Sequence, residues 1–367
     1  MTSTMLRTLA AAILVVTQAG TAAAAEVSFA GKTIQFVVNF AAGGPSDIFA
    51  RHYQRHLSRH LPGNPTVIVE NRPGASGMVG TNYVYNIARP DGLTIGSLTA
   101  IAVHPILGKP NVKYDVTKFG WLGAVPQSQI LMVRKDLGVN APAGLLKPAK
   151  PLVYGNTGVN AAYITTRLFL ELMGAQFQAV SGYRGQSQTI QAMRRGEINV
   201  TDLGISGYLP HQETYRSEGL MIPLLQRGVP VEGGKFARLA ALSALPTMEE
   251  ALATTRPEAL KSAKFAAIRA LVGTFHVQFA FVLPPATPQT VVDTLAKGYA
   301  DMFRDPAVIS ETKARFKMEH EFVDGPGAQR YVAKLFTDFN ANPEVRKIVR
   351  AVAGSGGEPG KGKPKAK

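Results

Sequence analysis

The sequence predicts an α/β protein in which strands and helices alternate in two separate series, each series building its own sheet. Three observations carry this. Short β-rich runs are followed by stretches of helical spacing, glycine-rich turns stand between several of them, and 367 residues with 46% apolar and 18% charged content suffice for two ordinary cores.

The first series runs from a β-rich segment, Thr33–Val38, through helical spacing over Ser46–Leu61, a second short run Thr66–Glu70 and a helix over Met78–Ala88, to Leu93–Leu98. The middle repeats the theme: Ile130–Val133, Leu152–Tyr154, a helix Ala161–Met173, Gln178–Val180, a helix Gln188–Arg195 and Ile198–Leu203. Met221–Leu225, Leu239–Ser243 and PTMEEAL (Pro246–Leu252) follow. Lys261–Ala270 reads as an inserted helix, Phe275–Leu283 as a strong strand, and Pro284–Phe303 as a proline-led entry into a long helix. Helices over Asp305–Phe316 and Ala328–Asn340 close the chain. Such alternation predicts parallel sheets covered on both faces and right-handed crossovers. The expected division is residues 26–124 plus 239–353 in one lobe and 125–238 in the other. The ending GSGGEPGKGKPKAK (354–367) lacks apolar residues to pack and is expected to be disordered.

Residues 1–25 have another character. Arg7 precedes the apolar run Leu9–Val16, and Ala23–Ala25 offer small residues for a cut before Glu26, so a cleavable export signal is expected. That run is far shorter than a membrane span needs. The chain has no cysteine, which excludes disulfides, thiol nucleophiles, thiolate metal sites and a lipid-anchored cysteine. Export and the cysteine count together point to a bacterial periplasm. The formal charge is +15, four of the lysines lying in the tail. A basic surplus attracts anions in general, but the aromatics do not interleave with a basic stripe, so nucleic acid is not an expected partner.

The turns raise a sharper question. NFAAGGPSD (Asn39–Asp47) leaves the first strand and enters a helix. Gly43 and Gly44 permit close backbone approach, Pro45 fixes the turn, and Ser46 or Asp47 can cap the helix. The stretch is either an ordinary strand–helix connection or an anion site built on free helix N–H groups. NRPGASG (Asn71–Gly77) and YGNTGVNAAY (Tyr154–Tyr163) repeat the pattern. Loops at the strand ends of two sheets could therefore face one another and hold one small anion between them.

At these residues the chain resembles the Bug/TctC-type periplasmic solute-binding proteins, the receptors of tripartite tricarboxylate transporters. The matching pieces are IQFVVNFAAGGPSDIFAR, VIVENRPGASGMVG, ARPDGLTIGSL, LVYGNTGVNAAY, GYRGQSQTIQAMRRGEINV and PTMEEAL with the later LPPATPQTVVDTL, in family order over nearly the whole chain after the leader. The resemblance implies a two-lobed, type II-like Venus flytrap with a ligand cleft between the lobes, and a ligand carboxylate held by loop backbone groups and ordered water. It implies as ligand-binding positions Phe40, Ala42, Gly43, Gly44, Ser46 and Asp47 in the first lobe, and Asn156, Thr157, Gly158, Asn160 and Ala161 in the second. Tyr183, in GYRG where the family usually has PYKG, is expected to wall the cleft. Ala42 stands where the family usually has proline, and Pro45 where it has a small residue. An ungapped alignment puts Leu203 where the family often has an aspartate. Asp202 is carried as a binding position one residue earlier, although strand alternation would turn it away. Arg184 is the charged candidate for direct ligand contact, backbone amides being the main expectation.

Other chemistry is less well supported. His52, His56 and His60 recur at helical spacing, yet Arg51, Arg55 and Arg59 accompany them with no carboxylate nearby in sequence, so a solvated basic face is expected and no metal. Glu70 either pairs with Arg72 or is solvated. No G-x-S-x-G elbow, H-E-x-x-H helix or cysteine supports an exported hydrolase, so no catalytic residue is named and no cofactor is expected. The expectation is a monomeric receptor that captures a small organic acid and hands it to tripartite-transporter membrane subunits, with a sensor of a signalling partner as the alternative.

Overall fold

The computed structural model describes residues 27–183, 185–230 and 235–355. The expected export signal, Arg184 and most of the basic tail lie outside the described residues. Gly354 and Ser355, expected in that tail, instead end the last helix.

Two mixed sheets organise the chain. The opening strands β1 (Thr33–Val38), β2 (Thr66–Asn71) and β3 (Thr94–Thr99) pair in parallel, separated by helices α1 (Pro45–Leu57) and α2 (Met78–Asn86). After the short helix α3 (Val103–Ile106), strand β4 (Gly120–Val125) leads out of this sheet into β5 (Gln129–Arg134) of the next. There β6 (Leu152–Asn156), β7 (Phe177–Ser181) and β8 (Val200–Gly204) run parallel, with α4 (Ala161–Met173) and α5 (Gln186–Arg195) between them. Helices α6 (Ile205–Tyr208) and α7 (Gln212–Glu218) lead to β9 (Met221–Gln226), and β10 (Val229–Pro230) pairs with β11 (Phe236–Ala237). Helices α8 (Met248–Thr255) and α9 (Ala263–Gly273) precede the return strand β12 (Phe279–Leu283). Helices α10 (Gln289–Arg304) and α11 (Pro306–Phe316), the edge strand β13 (Val323–Asp324), α12 (Gly325–Ala341) and α13 (Pro343–Ser355) complete the chain.

The strand orders are β13-β4-β12-β3-β1-β2 and β7-β6-β8-β5-β9. The sheets are not wholly parallel, as the alternation had suggested. Strand β12 runs antiparallel to both β3 and β4, and β5 antiparallel to both β8 and β9. The cause is the crossing itself: a chain that passes straight from β4 to β5 without a helix must enter the second sheet reversed, and one that comes back enters the first reversed.

Side-chain alternation fixes both faces of each sheet. On β12, Phe279, Phe281 and Leu283 join a core with α1 and α10, whereas Ala280 and Val282 join one with α2 and α12. On β5, Leu131 and Val133 face α4, while Ile130 and Met132 face α5 and α7. Helix α9 (expected over Lys261–Ala270 as an inserted helix) buries Phe265, Ile268, Leu271 and Val272 in the same core as α4, α8 and α13. Its apolar stripe therefore widens the cover of the second sheet. The expected strand over Phe275–Leu283 is split: Thr274–Val277 forms a 3₁₀ turn before β12.

The carboxyl end of β1 is locked by one side chain. Asn39, fully buried, brings its amide nitrogen to the carbonyls of Thr99 (3.0 Å) and Gly77 (3.3 Å) and to the Thr81 hydroxyl (3.2 Å), and its oxygen accepts from the Thr99 N–H (2.9 Å). It ties β1, the turn before α2 and the end of β3 together. Asn39→Ala removes these bonds together, although the Gly77 carbonyl keeps the Thr81 hydroxyl at 2.9 Å, and is predicted to lower the unfolding free energy by roughly 2–4 kcal/mol. Urea unfolding checks this, and a loss below about 0.5 kcal/mol would contradict the lock.

Candidate functional site: a cleft under three helix N-termini

A cavity of about 480 Å³ opens between the two sheets at the strand ends. From the first series it is lined by Phe40, Pro45, Ser46, Ser76, Thr99 and His104, and from the second by Asn156, Thr157, Asn160, Ala161, Gly185 and Gln186 among others. The N-termini of α1, α4 and α5 all reach it. The first N–H groups of a helix have no acceptor inside the helix, and the aligned peptide dipoles leave a partial positive charge there. Neither α4 nor α5 has an acidic residue in its first turn to neutralise that charge.

Each loop is braced by its own side chains. Gly44, with no side-chain cap, is the N-cap of α1, and Pro45 opens the helix. Asp47 does not cap the helix but accepts from the Gly43 N–H (2.9 Å), Asn71 Nδ2 (2.8 Å) and Arg51 Nε (2.9 Å). Burial alone would raise the Asp47 carboxyl, but the bonds from Arg51, Gly43 and Asn71 outweigh it and hold the group below the usual range. Ser46 accepts from the Thr99 hydroxyl at 2.9 Å. In the second loop Asn156 Oδ1 accepts from the Gly158 N–H (2.9 Å) and the Ser181 hydroxyl (3.0 Å), and Asn160 caps α4 through the Tyr163 N–H (3.0 Å). Gly158 has φ +114°, a conformation L side chains rarely adopt.

The structure thus brings Phe40, Ser46, Asn156, Thr157, Asn160, Ala161 and Asp202 to one cavity. Ala42, Gly43, Gly44, Asp47 and Gly158 belong to the loops that frame it without being among its lining residues. Tyr183, expected on the wall, packs instead against the core beneath α5 and α7, and Gly185 and Gln186 take the wall position. Asp202 does line the cavity, while Leu203 lies in the opposite core. Its carboxylate is already engaged: it accepts from Arg227 Nη2 (2.6 Å), the Thr166 hydroxyl (2.8 Å) and the Tyr154 hydroxyl. Burial, followed by the Asp202 charge, pushes the Tyr154 hydroxyl well above its usual value. The Arg227 side chain is 1% exposed, so the floor of the cavity carries a closed ion pair and no net charge.

Residues the sequence reading passed over include Ser76, Thr99, His104 and Gln129. Ser76 lies inside the glycine turn NRPGASG, where Ala75 and Ser76 both take positive φ, and its carbonyl accepts from His104 Nε2 at 2.9 Å. The turn was a visible signal; His104, alone in sequence, was not. Glu70 pairs with Arg72 at 2.6 Å.

The basic face of α1 is solvated in part: Arg51, Arg55 and Arg59 are exposed as expected, but the histidines beside them are not all so. His52 and His56 are buried, and α11 supplies the missing carboxylates: Glu311 meets Arg55 at 2.5 Å and His56 at 3.0 Å, while Asp305 meets Arg59 at 2.8 Å and His60 at 3.2 Å. Ligand-type atoms of His52, His56 and Glu311 lie within 4.8 Å of one another, and the Arg55 guanidinium shares that carboxylate.

The family description "Tripartite tricarboxylate transporter family receptor" matches residues 49–251, more than half of the chain. The chain belongs to that family. Among its curated relatives, BugT of Bordetella pertussis is 26% identical over 343 residues, covering 85% of this chain and 99% of BugT. The fold is also that of solved members. A TctC solute-binding protein from Polaromonas, solved with no ligand, aligns with a TM-score of 0.63 and 18% identity over 88% of this chain and 100% of its own. R. palustris Rpa4515, solved with adipate, aligns with a TM-score of 0.61 and 23% identity over 86% and 97%. The receptor is accordingly a two-lobed α/β binding protein, and among the described residues no helix is long and apolar enough to cross a membrane.

Beside the cavity, burial holds His320 at about 3, and on α1 burial, opposed by Glu311, holds His52 at about 4. Both are depressed below the unfolded value of about 6.5, so the unfolded chain binds more protons between those limits. Stability is predicted to be greatest above about pH 6.5 and to fall as pH drops toward 4. Denaturant unfolding at pH 7 and pH 5 reads the difference, and His320→Gln should shrink it; an unchanged difference would remove His320 from the cause.

Proposed function

We propose that the protein is a periplasmic receptor that captures a small organic carboxylate by closing its two lobes and delivers it to tripartite-transporter membrane subunits. The observation that carries this is the meeting of the N-termini of α1, α4 and α5, drawn from both sheets, at one cavity. Such termini favour a carboxylate through oriented N–H groups and dipole ends, without a cationic side chain. Rpa4515, solved with adipate, is a carboxylate-bound protein of the same fold. In this reading Ser46, Thr157, Asn160 and Ala161 contact the ligand or its waters, and Gly43, Gly44, Asp47 and Gly158 shape the loops. Asp202 acts as a neutralised floor.

One lobe comprises residues 26–124 with the return to the six-stranded sheet and the other residues 125–238, with α8, α9 and α13 riding on the second core. A ligand that touches both lobes favours the closed state by its differential affinity, and the closed surface is what a monomeric receptor presents to its partner. No catalytic step is assigned: among the described lining residues Ser46 bonds Thr99, and the Asp202 carboxylate is held by Arg227.

Thermal scanning of the mature protein against mono-, di- and tricarboxylates tests the reading, since a ligand at about 100 times its dissociation constant adds roughly 2.7 kcal/mol. A shift with a neutral sugar or a cation, and none with any acid, would refute it. Asn160→Asp keeps an equally good cap but places a fixed negative charge on the α4 terminus. It is predicted to leave stability within about 0.5 kcal/mol and to weaken carboxylate binding at least tenfold by calorimetry.

A further inference from the structure

The cleft does not end at the cavity already described. Pro45, Ser46, Thr99, Gln129, Gln186 and Gln278 line it and equally line a second chamber of about 310 Å³, so the two share a waist. The second chamber has a different chemistry. Its walls carry Phe49, Phe279 and Phe316 with Ile48 at 37% exposure, and Phe49 stacks on Phe279 with ring centroids 3.9 Å apart. Gln127, Ser128, Ser206 and His320 supply its polar groups, all neutral amides, hydroxyls and an imidazole. The imidazole is fixed by Tyr53, whose hydroxyl lies 2.7 Å from Nδ1, and burial keeps it uncharged over the ordinary pH range.

No lysine or arginine is among the described residues lining either chamber. Among the described residues the buried guanidinium nearby, that of Arg227, is committed to Asp202, Thr166 and the Ala162 carbonyl. A second or third carboxylate entering the far chamber would leave water for aromatic rings and neutral groups, with no cationic side chain among the described lining residues to meet it, and that transfer is costly. An uncharged ring or chain entering the same chamber gains its apolar burial and can stack edge or face on the phenylalanines.

We propose that the receptor's substrates are monocarboxylates with an aromatic or apolar tail, the carboxylate seated at the helix N-termini and the uncharged tail in the Phe49–Phe279–Phe316 chamber. This rests on the carboxylate reading above and narrows it, setting this chain apart from a receptor for dicarboxylates such as adipate.

Calorimetry on the mature protein with 3-phenylpropionate, benzoate, adipate and citrate tests it. The aromatic monocarboxylates are expected to bind at least tenfold tighter than adipate or citrate, and 3-phenylpropionamide, which lacks the charge, at least tenfold more weakly than its acid. Equal or tighter binding of adipate or citrate would overturn the tail assignment while leaving the carboxylate reading intact. Binding of the amide but of no acid would overturn both. Ser206→Arg and, at the more exposed rim, Ile48→Lys each bring a cation to the far chamber. Either variant, folded by its unchanged melting profile without ligand, should shift the ratio of 3-phenylpropionate to adipate affinity by at least tenfold toward adipate. An unchanged ratio in both would place the tail elsewhere and overturn the proposal.

Discussion

The meeting of the N-termini of α1, α4 and α5 at one cavity is the constraint on which the proposed site depends. Backbone donors work as a binding site only if their loops are held still, if no side chain fills the space before them, and if no nearby charge cancels their field. Each condition has its residues. Gly43, Gly44 and Gly158 keep the loops free of side chains, Asn39 and Asp47 pin the first loop, and Asn156 and Asn160 pin the second. The Asp202 carboxylate, which would otherwise repel an anion, is neutralised by Arg227 at 2.6 Å.

That ion pair costs desolvation, and a pair of hydrophobic residues could replace it without loss of stability. Its position suggests why it is polar. Arg227 follows β9, reaches the Ala162 carbonyl in the first turn of α4, and bonds Gln129 at the start of β5 through its side chain while its own N–H donates to the Gln129 carbonyl at 2.9 Å. One guanidinium thus joins the floor, a cavity-lining helix and a crossing strand. Apolar contacts could fill the volume but would not orient α4 with comparable precision.

Much of this was legible in the sequence. The helix Ala161–Met173 and the strand Thr33–Val38 have the bounds that spacing alone gave, because both have clear caps or turns and an unbroken apolar pattern. The glycine turns pointed to the sheet ends between which the cavity lies. What stayed hidden depended on contacts distant in sequence. Nothing in Arg51–His60 announces that Glu311 and Asp305 will meet it about 250 positions later. Strand β4 was missed because GWLGAV is broken by glycine, and the antiparallel return of β12 because alternation reports element type but not direction. Tyr183 was assigned to the wall from a motif, yet an aromatic ring beside a core buries itself there, and the smaller Gly185 and Gln186 are left to face the space.

The crossings between sheets bear on how such a site could close. The chain passes from the first sheet to the second at Val125–Gln129 and returns through Phe275–Gln278. The two passages are bonded to each other, the Gln127 N–H donating to the Phe275 carbonyl at 2.9 Å, and the Ser128 hydroxyl donates to the Gly228 carbonyl just after β9 at 3.2 Å. In the proposed closure these bonds travel with the hinge while the helix termini approach. Gln127, Ser128, Phe275 and Gln278 also line the far chamber, so a ligand tail there would lie against the pivot and its carboxylate against the moving loops. A small acid too short to touch both would fill the helix termini without biasing the lobes, because a ligand shifts an equilibrium only by its differential affinity for the two states. Length and tail chemistry, more than the carboxylate itself, would then decide which bound acids produce the closed form.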